Sequence, residues 1–422
     1  MTHHEKDPNG PTSPRRLAGL LLLALLPLAL GACDDASLMP PAPEGGEIFE
    51  RYVALGASIT AGFQSGGINA TTQQASYPAL LGEAMGTDFN LPLLRTPGCP
   101  PPFTDILAGE RLAGGTAETC ALREPPADDI HNLAVPGAEV ADLLRNSGTG
   151  TNANALTQFI LGGRTQVGAA EELDPSFVTV FAGGNDILAA LQAGDPSVAT
   201  PPEQFAQDFG ELAQRLSGLG AEGVVLVGVP NVIAFDEQAR GTFPFLSLGA
   251  AYAQASQSPA WPDNFDVDPN CAPDTVFPDG QPGHQSAVPF GYGFGQLFAS
   301  ARADSTTNVE LDCLDDPEVL TASELQQVGG LLQQYNQTIA GVAQQNDWLF
   351  VDATPLLTSL RDQGLIPAFP TITDPSVPLF GPIYSQDGVH LSGQGHRAVA
   401  GLLADEINGA FGTSLTVPGG GS

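Results

Sequence analysis

Arg51-Tyr52-Val53-Ala54-Leu55-Gly56-Ala57-Ser58-Ile59-Thr60-Ala61-Gly62 is the stretch on which the fold turns. Its apolar run, Tyr52 to Leu55, reads as a buried strand and stops at a glycine. A serine follows at the turn, and helix-compatible sequence comes after it. That order puts Ser58 at the C-terminal end of a strand, where open α/β sheets bind their ligands. A serine so placed is either a nucleophile or a helix N-cap, a position that favours Ser. The choice between the two depends on what the rest of the chain brings to it.

Working outward, four more segments read as strands: His131 to Val135, broken by Pro136-Gly137; Ser176 to Ala182; Gly223 to Val229; and Asp347 to Asp352. Helical patterns separate them. The clearest runs from Pro202 to Leu219, with Phe205, Phe209, Leu212 and Leu216 at three- and four-residue spacing, a stripe that serves core packing. Others are Tyr77 to Met85, Ala322 to Gln345, and a last helix from Gly393 to Phe411. Strands alternating with helices imply a parallel sheet covered on both faces. The expected fold class is thus α/β, a three-layer α/β/α sandwich with about five parallel strands. Between about 230 and 320, after strand four, Pro, Gly, Phe, Asp and Asn dominate. A structureless loop of that length does not fit a compact domain. The expectation is a functional insertion with short helices of its own, around Phe290 to Arg302, that overlies the site and sets substrate choice. The domain is expected over 48–412, with a frayed tail over 413–422.

Composition excludes several functions. The formal charge is −33, and the only lysine in the chain is Lys6. So negative a surface argues against nucleic acid and against electrostatic docking on anionic lipid. At the N-terminus, Arg15-Arg16 precede an apolar run from Leu17 to Leu30, shorter than the ~20 residues of a membrane span. Leu30-Gly31-Ala32-Cys33 resembles the bacterial lipobox. That resemblance implies a signal peptide over 1–32, a lipidated Cys33, a flexible tether over 33–47, and membrane contact through the lipid anchor of an exported envelope protein. A plain secretory signal is the alternative. Four further cysteines, Cys99, Cys120, Cys271 and Cys313, allow three pairings. The local one, Cys99–Cys120 with Cys271–Cys313, is simplest, because each pair brackets one irregular segment. No Cys-x-x-Cys or Cys/His spacing suggests zinc, and no metal site is expected.

The chemistry gathers at a second anchor, Asp387-Gly388-Val389-His390. One turn can bring that carboxylate against that imidazole, fix the ring tautomer and leave Nε2 free to take a proton from a hydroxyl. The plainer reading is a surface pair that caps the last helix. Beyond residues 1–32 the other histidines are His131, His284 and His396; they belong to a strand start, the insertion and the final helix. Acyl transfer also needs donors where an oxyanion develops. Gly137 offers an unobstructed backbone N–H, and Asn185, after Gly183-Gly184, offers a side-chain amide. Each could equally serve a tight turn or a helix cap.

Taken together, Gly56-Ala57-Ser58-Ile59-Thr60, Asn132-Leu133-Ala134-Val135-Pro136-Gly137-Ala138, Gly183-Gly184-Asn185-Asp186 and Asp387-Gly388-Val389-His390 resemble the four signature blocks of the SGNH (GDSL) esterase/lipase family, in the family's order. The resemblance implies a flavodoxin-like fold with five parallel strands. It implies Ser58 as nucleophile, His390 as base, Asp387 as orienting acid, and Ser58 N–H, Gly137 and Asn185 as the oxyanion hole. No metal or organic cofactor is needed for that reaction. The family usually carries Asp before the nucleophile; here the residue is Ala57. The expected activity is serine ester hydrolysis through an acyl-enzyme, on lipid esters, acetylated carbohydrates or small carboxylic esters. Two alternatives stand beside it: a non-catalytic envelope lipoprotein using the fold as a binding or assembly module, and an acyltransferase.

Overall fold

The computed structural model describes residues 46–123, 129–145, 155–236, 240–272, 285–374 and 376–419. The signal, lipid-anchor and tether readings on 1–45, Cys33 among them, lie outside the described residues, as does His284. Four strands form one parallel sheet: β1 (Tyr52–Gly56), β2 (Phe177–Phe181), β3 (Gly223–Val227) and β4 (Leu349–Val351), side by side in that order. Every residue of β1, β2 and β3 is buried. Unbroken apolar runs form these strands because both faces of a parallel sheet are covered. The register runs Tyr52 beside Phe177 and Phe177 beside Gly223.

The expected fifth strand is reduced. Residues 131–135 lie parallel to β1 on its free edge, but the pairing amounts to a single bridge, Asn132 with Ala54. The backbone bonds Ala54 N to His131 O (3.0 Å), Leu133 N to Ala54 O (2.9 Å) and Val135 N to Gly56 O (3.3 Å) keep it in place. Two features cut it short. Asn132 spends its side chain on Thr60 O and Ala134 N, and Pro136, which lacks an N–H, ends the ladder. The chain therefore reverses direction of travel across the sheet at β1, which creates the switch point where α/β sheets bind ligands.

Helices close the sheet. α1 (Ser58–Ala61) follows β1, and α2 (Asn185–Ala193) follows β2. α3 (Pro202–Ser217) buries Phe205, Phe209, Leu212 and Leu216, as its spacing requires. Burying each is worth ~1.5–3 kcal/mol. Phe205 stacks on Tyr335 of α4 (Ala322–Gln345) with ring centroids 4.0 Å apart. The Thr321/Glu324 capping box starts α4. α5 (Gly393–Phe411) packs on the Tyr77–Met85 helix and on β4. The tail beyond α5 is not frayed over 413–419. Leu415 and Val417 are buried, and the Asn408 side chain bonds both Leu415 N (2.6 Å) and Leu415 O (3.0 Å), as a neighbouring strand would.

The insertion is built, not structureless. Leu246–Leu248 pairs antiparallel with Ala287–Pro289, and Phe265–Val267 pairs parallel with Val309–Leu311. Short helical turns run from Phe290 to Ala303. Tyr252, Trp261, Phe294 and Phe298 pack ring against ring, with Phe369 of a later loop completing the cluster. The disulfides are Cys99–Cys120 and Cys271–Cys313. No helix among the described residues is long and apolar enough to cross a membrane.

Candidate active site

The site starts at the end of β1. A Cβ on Gly56 would lie 2.4 Å from Phe181 O and 2.5 Å from Thr60 Oγ1, so only glycine lets β1 pass β2 here. Gln166 grips that glycine on both sides: Gly56 N–H donates to Oε1 and Nε2 donates to Gly56 O, each at 2.9 Å. The chain then turns into α1, with Ser58 as its first residue. The helix-cap reading of Ser58 fails, because the cap position is Ala57 and no side chain caps the helix. Ala57, where the family usually has Asp, is nearly buried and contributes only a methyl group to the cavity wall. Gln166 supports the turn from the strand side instead.

The second and third blocks are tied to each other. Asn185, first residue of α2, donates one amide hydrogen to Ala138 O at 2.9 Å, which leaves the other hydrogen of that amide unused there. The next residue, Asp186, accepts from Val140 N at 3.1 Å. Asn132 Nδ2 donates to Thr60 O at 2.8 Å, linking the block that carries Gly137 to α1, the helix that Ser58 opens. Gly137 occupies the turn directly before Ala138. It is not among the residues lining the cavity that Asn185 lines.

Asp387 and His390 meet as the spacing requires. His390 Nδ1 lies 2.8 Å from Asp387 Oδ2. The other carboxylate oxygen accepts from Val389 N (3.0 Å), His390 N (2.8 Å) and Ser385 Oγ (3.2 Å). Gly66 N–H reaches Oδ2 from the far end of the sequence at 2.5 Å. Burial alone would push the Asp387 carboxyl up. The facing imidazole and these hydrogen bonds outweigh it and hold the group below the usual carboxylate range. Phe63 backs the imidazole with ring centroids 4.9 Å apart. With Nδ1 engaged by the acid, Nε2 is the nitrogen left for a substrate-side proton.

Ser58, Asn185 and His390 line one cavity. No direct hydrogen bond joins Ser58 Oγ to His390 among the described residues; such catalytic contacts often tighten only once substrate binds. Most of the rest of the wall is apolar, with Ile59, Ile187, Leu188, Leu191, Phe243 and Leu357 among its residues. Among the described residues of the insertion, its first part (Pro230, Val232 and Phe243) reaches the cavity. Tyr384 O–H anchors that part by donating to Thr242 O at 2.8 Å. His131 and His396 stay out of the site. His396 is fully buried, accepts Tyr77 N–H on Nδ1, and is pushed down to about 3, by burial first and by His390 second. No group of three His, Cys, Asp or Glu is arranged to hold a metal among the described residues.

Several supports have no signature in the sequence. Gln166, Gly66, Ser65 and Ser385 act across more than a hundred residues of chain, and polar residues of these types are common in any loop. The apolar lining has a weak signal, since Leu188 and Leu191 follow Asn185 on the same helix.

The chain matches the family profile described as GDSL-like Lipase/Acylhydrolase over residues 52–403. Among solved structures, an acetylxylan esterase from Geobacillus stearothermophilus is 12% identical, with a TM-score of 0.36, covering 85% of this chain and 94% of its own. An α/β hydrolase from the metagenome of Lake Arreo, Spain, is 13% identical, with a TM-score of 0.36, covering 87% of this chain and 98% of its own. No curated protein matches. The profile spans far more than half of the sequence, so the protein belongs to the GDSL-like lipase/acylhydrolase family and is a serine carboxylic ester hydrolase.

Proposed function

We propose that Ser58, His390 and Asp387 form the catalytic triad and that the substrate is a carboxylic ester with an apolar acyl group, such as a lipid ester. The observation that carries this reading is that Ser58, Asn185 and His390 share one cavity while His390 is held on Asp387. In the first half-reaction Ser58 Oγ attacks the ester carbonyl as His390 Nε2 takes its proton. The oxyanion is met by the Asn185 amide and Ser58 N–H; Gly137, which does not line this cavity, is not assigned to it. The imidazolium, stabilised by Asp387, then gives the proton to the leaving alkoxide. Water attacks the acyl-enzyme in the second half, with the same proton path reversed.

The cavity favours longer acyl groups over acetyl. The space open to the centre of a water molecule is ≈ 100 Å³, against ~10–15 Å³ for a single water. A methyl group leaves most of that wall uncovered. Each further methylene buried is worth ~0.8 kcal/mol, about fourfold in kcat/KM while room remains.

Two measurements on one preparation test the reading. A fluorophosphonate probe should label the wild type, and Ser58→Ala should abolish both labelling and ester hydrolysis with the fold intact by circular dichroism. On a nitrophenyl ester series, kcat/KM should rise at least tenfold from acetate to hexanoate. An unlabelled, inactive wild type would favour the non-catalytic module. Labelling with acetate as the best ester would overturn the acyl-chain assignment and keep the triad.

A further inference from the structure

Three segments remote in sequence converge on Gly66. The first is the loop closed by Cys99–Cys120, which carries the two-stranded pair Phe103–Asp105 with Glu110–Arg111. The second is the Ser65-Gly66 turn, and the third is the run 385–390 that bears the acid and the base. Ser65 N–H donates to Ser385 Oγ (2.7 Å), Gln386 N–H to Ser65 Oγ (3.2 Å), and Phe103 N–H to Ser65 O (2.7 Å). Gln386 reaches back with both ends of its side chain, donating to Thr104 O (2.6 Å) and accepting from Ile106 N–H (3.1 Å).

Arg111 sits at the centre of this junction. Its Nη1 donates to Gly66 O at 2.8 Å and to Pro101 O at 2.6 Å, and its Cζ lies 3.6 Å from the centroid of the Phe103 ring. The chain has 47 acidic residues against 14 lysines and arginines. In spite of that excess, Arg111 makes no ion pair among the described residues and spends its guanidinium on two main-chain carbonyls. Gly66 has φ +64°, and a Cβ there would lie 2.7 Å from the Phe103 ring. Its carbonyl is held by Arg111 while its N–H is aimed at Asp387 Oδ2, the oxygen that also faces His390 Nδ1.

We propose that Arg111 is a positioning residue for the acid–base pair, acting through Gly66 on the carboxylate of Asp387. The proposal rests on the triad reading above. The guanidinium suits the task, because Nη1 holds Gly66 O and Pro101 O together and so fixes the peptide after Gly66. The peptide that carries Gly66 N–H is pinned at its other end by Phe103 N–H on Ser65 O, and the guanidinium rests on that same Phe103 ring. With that N–H in place, Oδ2 stays in line with Nδ1, and the imidazole keeps the tautomer that leaves Nε2 free. Without it, Oδ2 keeps only the imidazole as partner among the described residues, and the carboxylate is held from the Oδ1 side alone.

Arg111→Met tests this, since it keeps an apolar stem on Phe103 and removes every donor. The expected result is a ~10–100-fold fall in kcat with KM within ~2-fold, in a variant whose circular dichroism is that of the wild type. Arg111→Lys should recover part of the loss. In an Asp387→Asn background the same Arg111→Met change should cost less than ~2-fold, because both substitutions break one path. Unchanged kcat in Arg111→Met, or an equal loss in both backgrounds, would overturn the proposal. Should Arg111→Met not fold, Gln386→Met takes its place, with a ~3–10-fold loss of kcat expected in the wild type and none in Asp387→Asn. No loss in the first background, or the same loss in the second, would again overturn it. A wild type that hydrolyses no ester would sink the triad reading and this proposal together; an active wild type with an unaffected Arg111→Met sinks this proposal alone.

Discussion

Two aspartates adjoin residues of the cavity wall, Asp186 next to Asn185 in the chain and Asp387 in hydrogen-bond contact with His390. Asp186 is buried and Asp387 nearly so, and their surroundings drive them in opposite directions. Asp387 accepts hydrogen bonds from Gly66, Val389, His390 and Ser385 and faces an imidazole; despite burial its pKa is held low. Asp186 is buried at the start of α2 with Val140 N–H and the Thr200 hydroxyl as its supports, and with Asp142 as a neighbour of like charge. Burial dominates there and pushes it up to about 6. Glu139 beside it is raised as well, by burial first and by Asp186 and Asp142 after it. Depth alone therefore does not decide the charge of a carboxyl. The number of donors and the sign of the nearest partner do. The surroundings of Asp387 keep a negative charge facing an imidazole, whereas Asp186 is a carboxyl that holds the Val140 backbone.

The sharpest way to break that contrast is to remove the charge on Asp387. Asp387→Asn should lower kcat ~10³–10⁴-fold with the fold retained, because the amide no longer enforces the tautomer that leaves Nε2 as acceptor. A loss smaller than tenfold would mean that His390 is oriented by other groups. At the start of α2, Asn185→Ala removes the proposed oxyanion donor and the link to Ala138 O. The expected cost is ~10²–10³-fold in kcat, read from steady-state kinetics on the best ester. An effect confined to KM would remove Asn185 from the oxyanion hole.

The smallest effect concerns stability. Asp186 has a folded pKa of about 6, above the ~3.9 of an unfolded chain. Its contribution is therefore fully present below the unfolded value and is lost as pH rises through the folded one. Asp186→Asn keeps an acceptor for Val140 N–H and removes the buried charge. The variant should be more stable than the wild type by ~1–2 kcal/mol at about pH 8, with the gain shrinking by roughly 1 kcal/mol at about pH 5. Thermal or urea unfolding at the two pH values measures this. An equal offset at both would show that packing, and not ionisation, sets the difference.

Much of this site was legible because its members sit where the strand grammar is strongest. Ser58 and Asn185 follow the apolar runs that became β1 and β2, and Asp387 lies three residues before His390, within one turn. The second block was legible as a segment and misread as a full strand. Its edge position and the diversion of the Asn132 side chain are relations between distant residues. The order around Leu415 was not legible because nothing local announces that Asn408 will supply Leu415 with both of its partners. The insertion kept its core hidden for a related reason. Its aromatics have no regular period, and they become a cluster only when Phe369, from a loop beyond β4, closes over them.

By itself the sequence determined the order of strands and helices, the glycine turns at the strand ends and which side chains stand as candidates for the chemistry. Those follow from burial periodicity and from backbone preferences that act over a few residues. Only the tertiary structure decided that a hydroxyl near residue 58 and an imidazole near 390 open on the same apolar space, and that Gly66 and Arg111 stand behind the acid. The reason is that hydrogen bonds and contacts of this kind span about 45 to 320 residues of chain. They are selected by the shape of the packed whole, which no short window of residues encodes.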